Sequence, residues 1–159
     1  MTPKIEESYR EIAISVYNEL PEIGWKKAVY TYQVICGYSS QNGYFLSSEG
    51  QRSKTFVIDG AGFDALLQLR DEMAAQHASG QAWYTANFSL TPDGKFNFDF
   101  DYDHLPTFDI MPDPEDWLEE FKKYPRPELQ AQIQDWIDGR VPDKDWRLLV
   151  ERLEQLASH

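Results

Sequence analysis

The 159-residue chain has one cysteine, Cys36, and three histidines, His77, His104 and His159. A single thiol closes no internal disulfide and builds no zinc cluster, and so few histidines leave little for a metal centre or a nucleophile–base pair. No apolar stretch approaches the ~20 residues of a membrane-spanning helix. The opening MTPKIEESYREI lacks an apolar run of signal-peptide length, so the chain reads as cytoplasmic. Cations are scarce as well: 15 Lys and Arg against 27 Asp and Glu give a formal net charge of −12. That deficit argues against nucleic acid, whose phosphates need clustered Lys and Arg, and against anionic membranes. No phosphate-binding glycine loop, GxSxG or HExxH occurs. With those motifs missing, an enzyme is not expected, nor is a cofactor.

What is present is a foldable composition, 42% apolar and 14% aromatic. It fits one domain over residues 1–159, with no internal repeat or low-complexity linker. The acids are concentrated. Asp93 to Glu120 holds ten of them against Lys95 alone, so this stretch carries a net −9 of the total −12. Aromatic residues interleave with them: Phe96, Phe98, Phe100, Tyr102, Phe108 and Trp117.

Taken in order, Thr2-Pro3 is a helix start, and Ile5, Tyr9, Ile12, Val16 and Leu20 recur at helical spacing until Pro21. Trp25 to Tyr38 reads as a strand, followed by a hairpin turn at Asn42-Gly43, a return strand at Tyr44-Phe45-Leu46 and a third strand from Lys54 to Ile58. A second helix begins at Phe63, its stripe formed by Phe63, Leu66, Leu67, Arg70, Met73 and Ala74, with Arg70 as a polar interruption. Ala82 to Leu90 and Lys95 to Tyr102 are two more strands around the turn Thr91-Pro92-Asp93-Gly94. The second of them sends Phe96, Phe98, Phe100 and Tyr102 to one face and Asn97, Asp99, Asp101 and Asp103 to the other. Asp113-Pro114-Glu115-Asp116 starts a helix with Trp117, Leu118 and Phe121 on its apolar side. From Pro125 onward, Leu129, Ile133, Trp136 and Ile137, then Trp146, Leu149, Val150, Leu153 and Leu156, describe a helical hairpin. The expected fold class is therefore α+β. An antiparallel sheet of about five strands, in the order α-β-β-β-α-β-β, packs on helices; residues 1–124 form the core and 125–159 a helical extension.

The spacing Asp99-x-Asp101-x-Asp103 resembles the opening of a calcium loop, but such a loop needs glycine at its sixth position and glutamate at its twelfth. Here His104 and Ile110 stand there. Same-face carboxylates on a regular strand also lie roughly 6.5–7 Å apart, too far to share one ion. No metal is expected. The acidic surface instead matches a basic protein partner, attracted by its field and held by aromatic anchors. A charge run of this kind is equally what a merely solvated face carries.

At this point the chain resembles the YezG-like bacterial antitoxins, immunity proteins encoded beside polymorphic secreted toxins. The resemblance covers about residues 4–124. It rests on KIEESYREIAISVYNELP, on WKKAVYTYQV, on the GYFL and FDALLQLRDEM segments, and above all on DGKFNFDFDYDHL. It implies a non-catalytic inhibitor that binds and neutralises a cognate toxin domain, often a nuclease, inside the producing cell. The expected contact residues come from charge and pattern instead. They are Asp99, Asp101 and Asp103 on the strand, and Asp109, Asp113, Glu115, Asp116 and Trp117 on the loop and helix beyond. The loop is expected to make the contact and the strand aspartates to steer the partner. The alternative is a non-catalytic adaptor that recognises an ordinary cellular protein through the helical hairpin.

Overall fold

Four segments of the chain pair side by side as one antiparallel sheet. A computed structural model describes residues 2–106, 108, 112–127, 129 and 131. Within them the order is α1 (Pro3–Tyr17), β1 (Trp25–Ile35), β2 (Tyr38–Ser47), α2 (Gly60–Gln76), β3 (Thr85–Leu90), β4 (Phe96–Asp101) and α3 (Pro114–Lys123). The spatial order of the sheet is β2-β1-β3-β4, every neighbour antiparallel. The α+β class stands as expected. Among the described residues the strand count is four, not five. The helical hairpin expected from Pro125 onward lies almost wholly outside the described residues.

α1 starts as its sequence dictates. Thr2 accepts a hydrogen bond from Ile5 N–H at 3.2 Å, and Pro3 occupies the first turn, where a missing N–H costs nothing. Ile5, Ile12 and Val16 are buried. Tyr9 leans sideways and stacks on Phe98 of β4, ring centroids 4.5 Å apart. In α2 the buried face is Ala65, Leu66, Leu69, Arg70 and Ala74. Leu67, assigned to the apolar stripe, is instead 43% exposed, and Leu69 takes its place in the core.

The first hairpin corrects the sequence reading. Its turn is Cys36-Gly37, since Ile35 pairs with Tyr38 and Gly37 supplies φ +78°, the left-handed conformation such turns require. Asn42 and Gly43 lie inside β2 and pair with Thr31 and Tyr30. Gly43 is there for space: a Cβ at that position would meet the Phe56 ring at 2.4 Å. The expected third strand, Lys54 to Ile58, is reduced to an isolated bridge, Gly43 with Phe56.

Residue parity then divides the sheet into two faces. Ala28, Tyr30 and Tyr32 of β1 stand level with Leu90, Phe88 and Ala86 of β3, which stand level with Phe96, Phe98 and Phe100 of β4. These rows meet α1 and α2 and form the core with Trp83, Leu66 and Leu69. The opposite face has the rows Asn42, Thr31, Asn87, Asp99 and Ser40, Gln33, Thr85, Asp101. None of those eight side chains is buried. These rows are the wet part of that face; at the Cys36-Gly37 end the next residue on it, Ile35, is buried, and its partner Tyr38 packs on Phe108. α3 lies across one end of the sheet, at the Cys36-Gly37 turn.

Candidate functional site

The acids follow from how β4 ends and α3 begins. Asp99 is exposed on the open face, in register with Asn87, whose side-chain oxygen accepts from Thr31 Oγ1 at 3.0 Å. Asp101 is the last residue of β4, and its carboxylate serves its own chain. Oδ1 accepts from Asp103 N–H at 2.9 Å and from His104 N–H at 3.0 Å, and Oδ2 lies 3.0 Å from His104 Nδ1. Such a side-chain turn satisfies backbone donors where the ladder stops. Asp101 is therefore a structural terminator of the strand, with only part of its oxygen capacity open to a partner. Asp103 stands exposed just beyond it.

Two described residues of the segment after β4 are packed into the protein. Leu105 and Phe108 are buried, and the Phe108 ring meets Tyr38 edge-on at 4.7 Å. Arg126, buried as well, donates from Nη1 to Tyr102 O at 2.7 Å and so ties the far side of α3 to the β4 exit. Asp113 and Glu115 are exposed at the start of α3, and Asp116 is half-buried beside Gly37, where an added Cβ would lie 2.6 Å from its Oδ1. Asp109 lies outside the described residues.

Two groups of acids, on either side of Leu105 and Phe108 in the sequence, thus reach the same end of the sheet. β1 and β4 run the same way, because each is antiparallel to β3. The β4 exit, with Asp101 and Asp103, therefore lies at the end marked by the Cys36-Gly37 turn, against which α3 places Asp116. The opposite end carries cations. Lys27 is exposed on the open face, and Arg52 lies 3.9 Å above the Tyr44 ring.

Trp117 requires correction. Its exposure is 0%, and its ring lies alongside Phe121, centroids 5.8 Å apart. The spacing Trp117, Glu120, Phe121 and Tyr124 is one helical stripe, and all four are buried. Trp117 anchors α3 to the body of the protein and offers no surface to a partner.

The same stripe contains what the sequence reading passed over. Glu120, also 0% exposed, accepts both guanidinium nitrogens of Arg70, Nη1 and Nη2, at 2.8 Å each. Its Oε1 also accepts from Cys36 N–H at 2.9 Å, and Arg70 Nε donates to Trp83 O at 2.7 Å. One buried pair therefore joins α2, α3, the β1–β2 turn and the entrance to β3. Burial acts to lower the Arg70 pKa, but the hydrogen bonds and charge of Glu120 outweigh it and hold the guanidinium above its ordinary value. Burial, aided by the Glu120 charge, pushes the Cys36 thiol up to about 11. At the rim, Asp71 accepts from the Tyr124 hydroxyl and, at 3.0 Å, from Lys123 Nζ. Burial first, then the bond to Asp71, pushes Tyr124 up to about 12. A signal was legible in hindsight: Arg70 and Glu120 are opposite charges, each on the apolar stripe of its own helix.

Among the described residues, no group of three or more Asp, Glu, His or Cys converges as a metal site would, and no helix is long and apolar enough to cross a membrane. Comparison with family models and with curated proteins finds no match for this chain.

Proposed function

We propose that this chain is an immunity protein, an antitoxin that binds and neutralises a cognate secreted toxin in the cytoplasm, as its YezG-like resemblance implies. The toxin would be a basic domain, a nuclease being the expected activity, and the inhibitor would contribute no catalytic residue. The observation that carries this reading is the convergence of two acidic groups, Asp99 to Asp103 and Asp113 to Asp116, on one end of the sheet, beside the exposed rows of its open face. Asp99, Asp103, Asp113, Glu115 and Asp116 are the side chains assigned to contact. Asp101 shapes the turn that presents Asp103, and Trp117 holds α3 in place. A field of this sign speeds encounter with a cationic surface and weakens with salt.

The test is co-expression with the C-terminal domain of a long secreted protein encoded beside this chain, where the neighbouring sequence contains one. Survival of the cells and a complex that persists through purification are the expected results. Cell death despite soluble expression of this chain, or no complex, removes the reading. Charge reversal at Asp99, Asp103, Asp113 and Glu115 should slow association at low salt; an unchanged on-rate would move the interface elsewhere.

A further inference from the structure

The two edges of the sheet are treated differently. β2 is covered by the chain that follows it. Gly43 and Phe56 exchange backbone hydrogen bonds of 2.9 and 2.8 Å, and the backbone N–H groups of Ser47 and Ser53 reach Gln51 O and Phe45 O at 2.8 Å each. β4 has no such cover among the described residues, and the sheet order ends on it. Thr91 N–H donates to Lys95 O at 3.0 Å, which sets the parity of the β3–β4 ladder. Hydrogen-bonded pairs recur at every second residue. Asn97, Asp99 and Asp101 therefore address β3, while Phe96, Phe98 and Phe100 turn their backbone N–H and C=O groups outward.

An uncovered edge is a template for another strand. The surroundings of β4 specify which strand. On the open face its side chains are Asn97, Asp99 and Asp101. On the helix side, a groove of about 630 Å³ is lined by Tyr9, Ala13, Ile14, Tyr17, Leu90 and Phe96, with Ile14 47%, Tyr17 57% and Phe96 43% exposed. Side chains of an added strand fall alternately on these two faces. A second copy of this chain fits poorly, because β4 against β4 would set the aspartates of both copies on one face.

From this we infer that the free edge of β4 accepts an extended segment of a basic protein partner in which Lys or Arg alternates with apolar residues. The cationic side chains would stand beside Asp99 and the oxygen capacity that Asp101 keeps open, and the apolar ones would enter the Tyr9–Tyr17–Phe96 groove. The inference rests on the proposed reading only in taking a basic protein as the partner.

The experiment uses the full chain and an acetylated ten-residue peptide of alternating valine and lysine. Its controls are a block isomer of the same composition and two forms N-methylated at all valines or at all lysines. Backbone amide shifts by NMR read both affinity and place. The alternating peptide should bind on the order of tenfold more tightly than the block isomer and shift Phe96, Phe98 and Phe100. N-methylation of one alternate set should abolish binding while the other is tolerated: the valines if the added strand is antiparallel, the lysines if it is parallel. Asp99→Lys should weaken the alternating peptide. Equal binding of both methylated forms, equal binding of the block isomer, or shifts confined to another surface would overturn the edge site. So would sedimentation of a dimer with the β4 amides protected, since a second copy would then hold the edge. Rescue in the co-expression test without the alternation effect removes this inference and leaves the antitoxin reading. The alternation effect without rescue does the reverse.

Discussion

Asp99 and Glu120 belong to the same acidic stretch of sequence, yet the fold uses their charges in opposite ways. Asp99 stands in water on the open face, where its charge is felt outside the molecule. Glu120 is fully buried, bound to Arg70 through both oxygens and to Cys36 N–H, and its charge is spent on joining α3 to the core. Asp101 lies between these extremes, half-exposed and committed to the turn that follows β4. One run of acids thus contains a surface feature, a local turn device and a tertiary bolt. Density of charge along a sequence is not density of charge on a surface.

Removing the bolt should show the largest effect. Glu120→Ala leaves a buried guanidinium uncompensated, and the expected loss is about 3–5 kcal/mol by urea denaturation. Replacing both members, Arg70→Met with Glu120→Leu, should recover part of that loss. It should not recover all of it, because Cys36 N–H and Trp83 O would each lose a partner. A single change no worse than a surface substitution would mean that Glu120 is not buried in solution.

The Cys36 thiol reports on the same bolt. With its pKa raised from 9.0 to about 11, it stays protonated at pH 8. Alkylation there should run about a hundredfold more slowly than for an ordinary thiol, with the rate rising until pH passes that value. Glu120→Gln removes a negative charge that helps to raise the pKa, so the alkylation profile should move to lower pH. A profile that stays in place would separate Cys36 from the pair.

Smaller effects should follow towards the surface. Asp101→Ala frees two backbone donors beyond β4, and a loss of about 1 kcal/mol is expected. Faster hydrogen exchange at Asp103 and His104 should accompany it. Asp99→Asn should alter stability by no more than about 0.5 kcal/mol while lowering the on-rate for a basic partner at low salt. If Asp99→Asn destabilised the protein as much as Asp101→Ala, the distinction between the two carboxylates would fail.

Much of the frame was legible because it depends on short-range pattern. Thr2-Pro3 announced α1, and the alternation of Phe96 to Asp101 sorted core face from wet face before any neighbour was known. The first hairpin was misread because Asn42-Gly43 satisfies the chemistry of a turn as well as Cys36-Gly37 does. Only the Phe56 ring lying on Gly43 explains why that glycine stands inside a strand. The strand expected from Lys54 to Ile58 had suitable residues, but it meets β2 through a single bridged pair.

The candidate site divides in the same way. By itself the sequence determined that the surface is acidic, that β4 has one aromatic and one aspartate face, and that α3 begins with acids. Those properties follow from side-chain identity and from the fixed periods of strand and helix. Tertiary structure alone decided that Trp117 is core, that among the described residues the β4 edge is free while the β2 edge is covered, and that Glu120 meets Arg70 fifty residues away. No local period encodes a partner at that separation. It exists only once α2 and α3 are packed against the same end of the sheet.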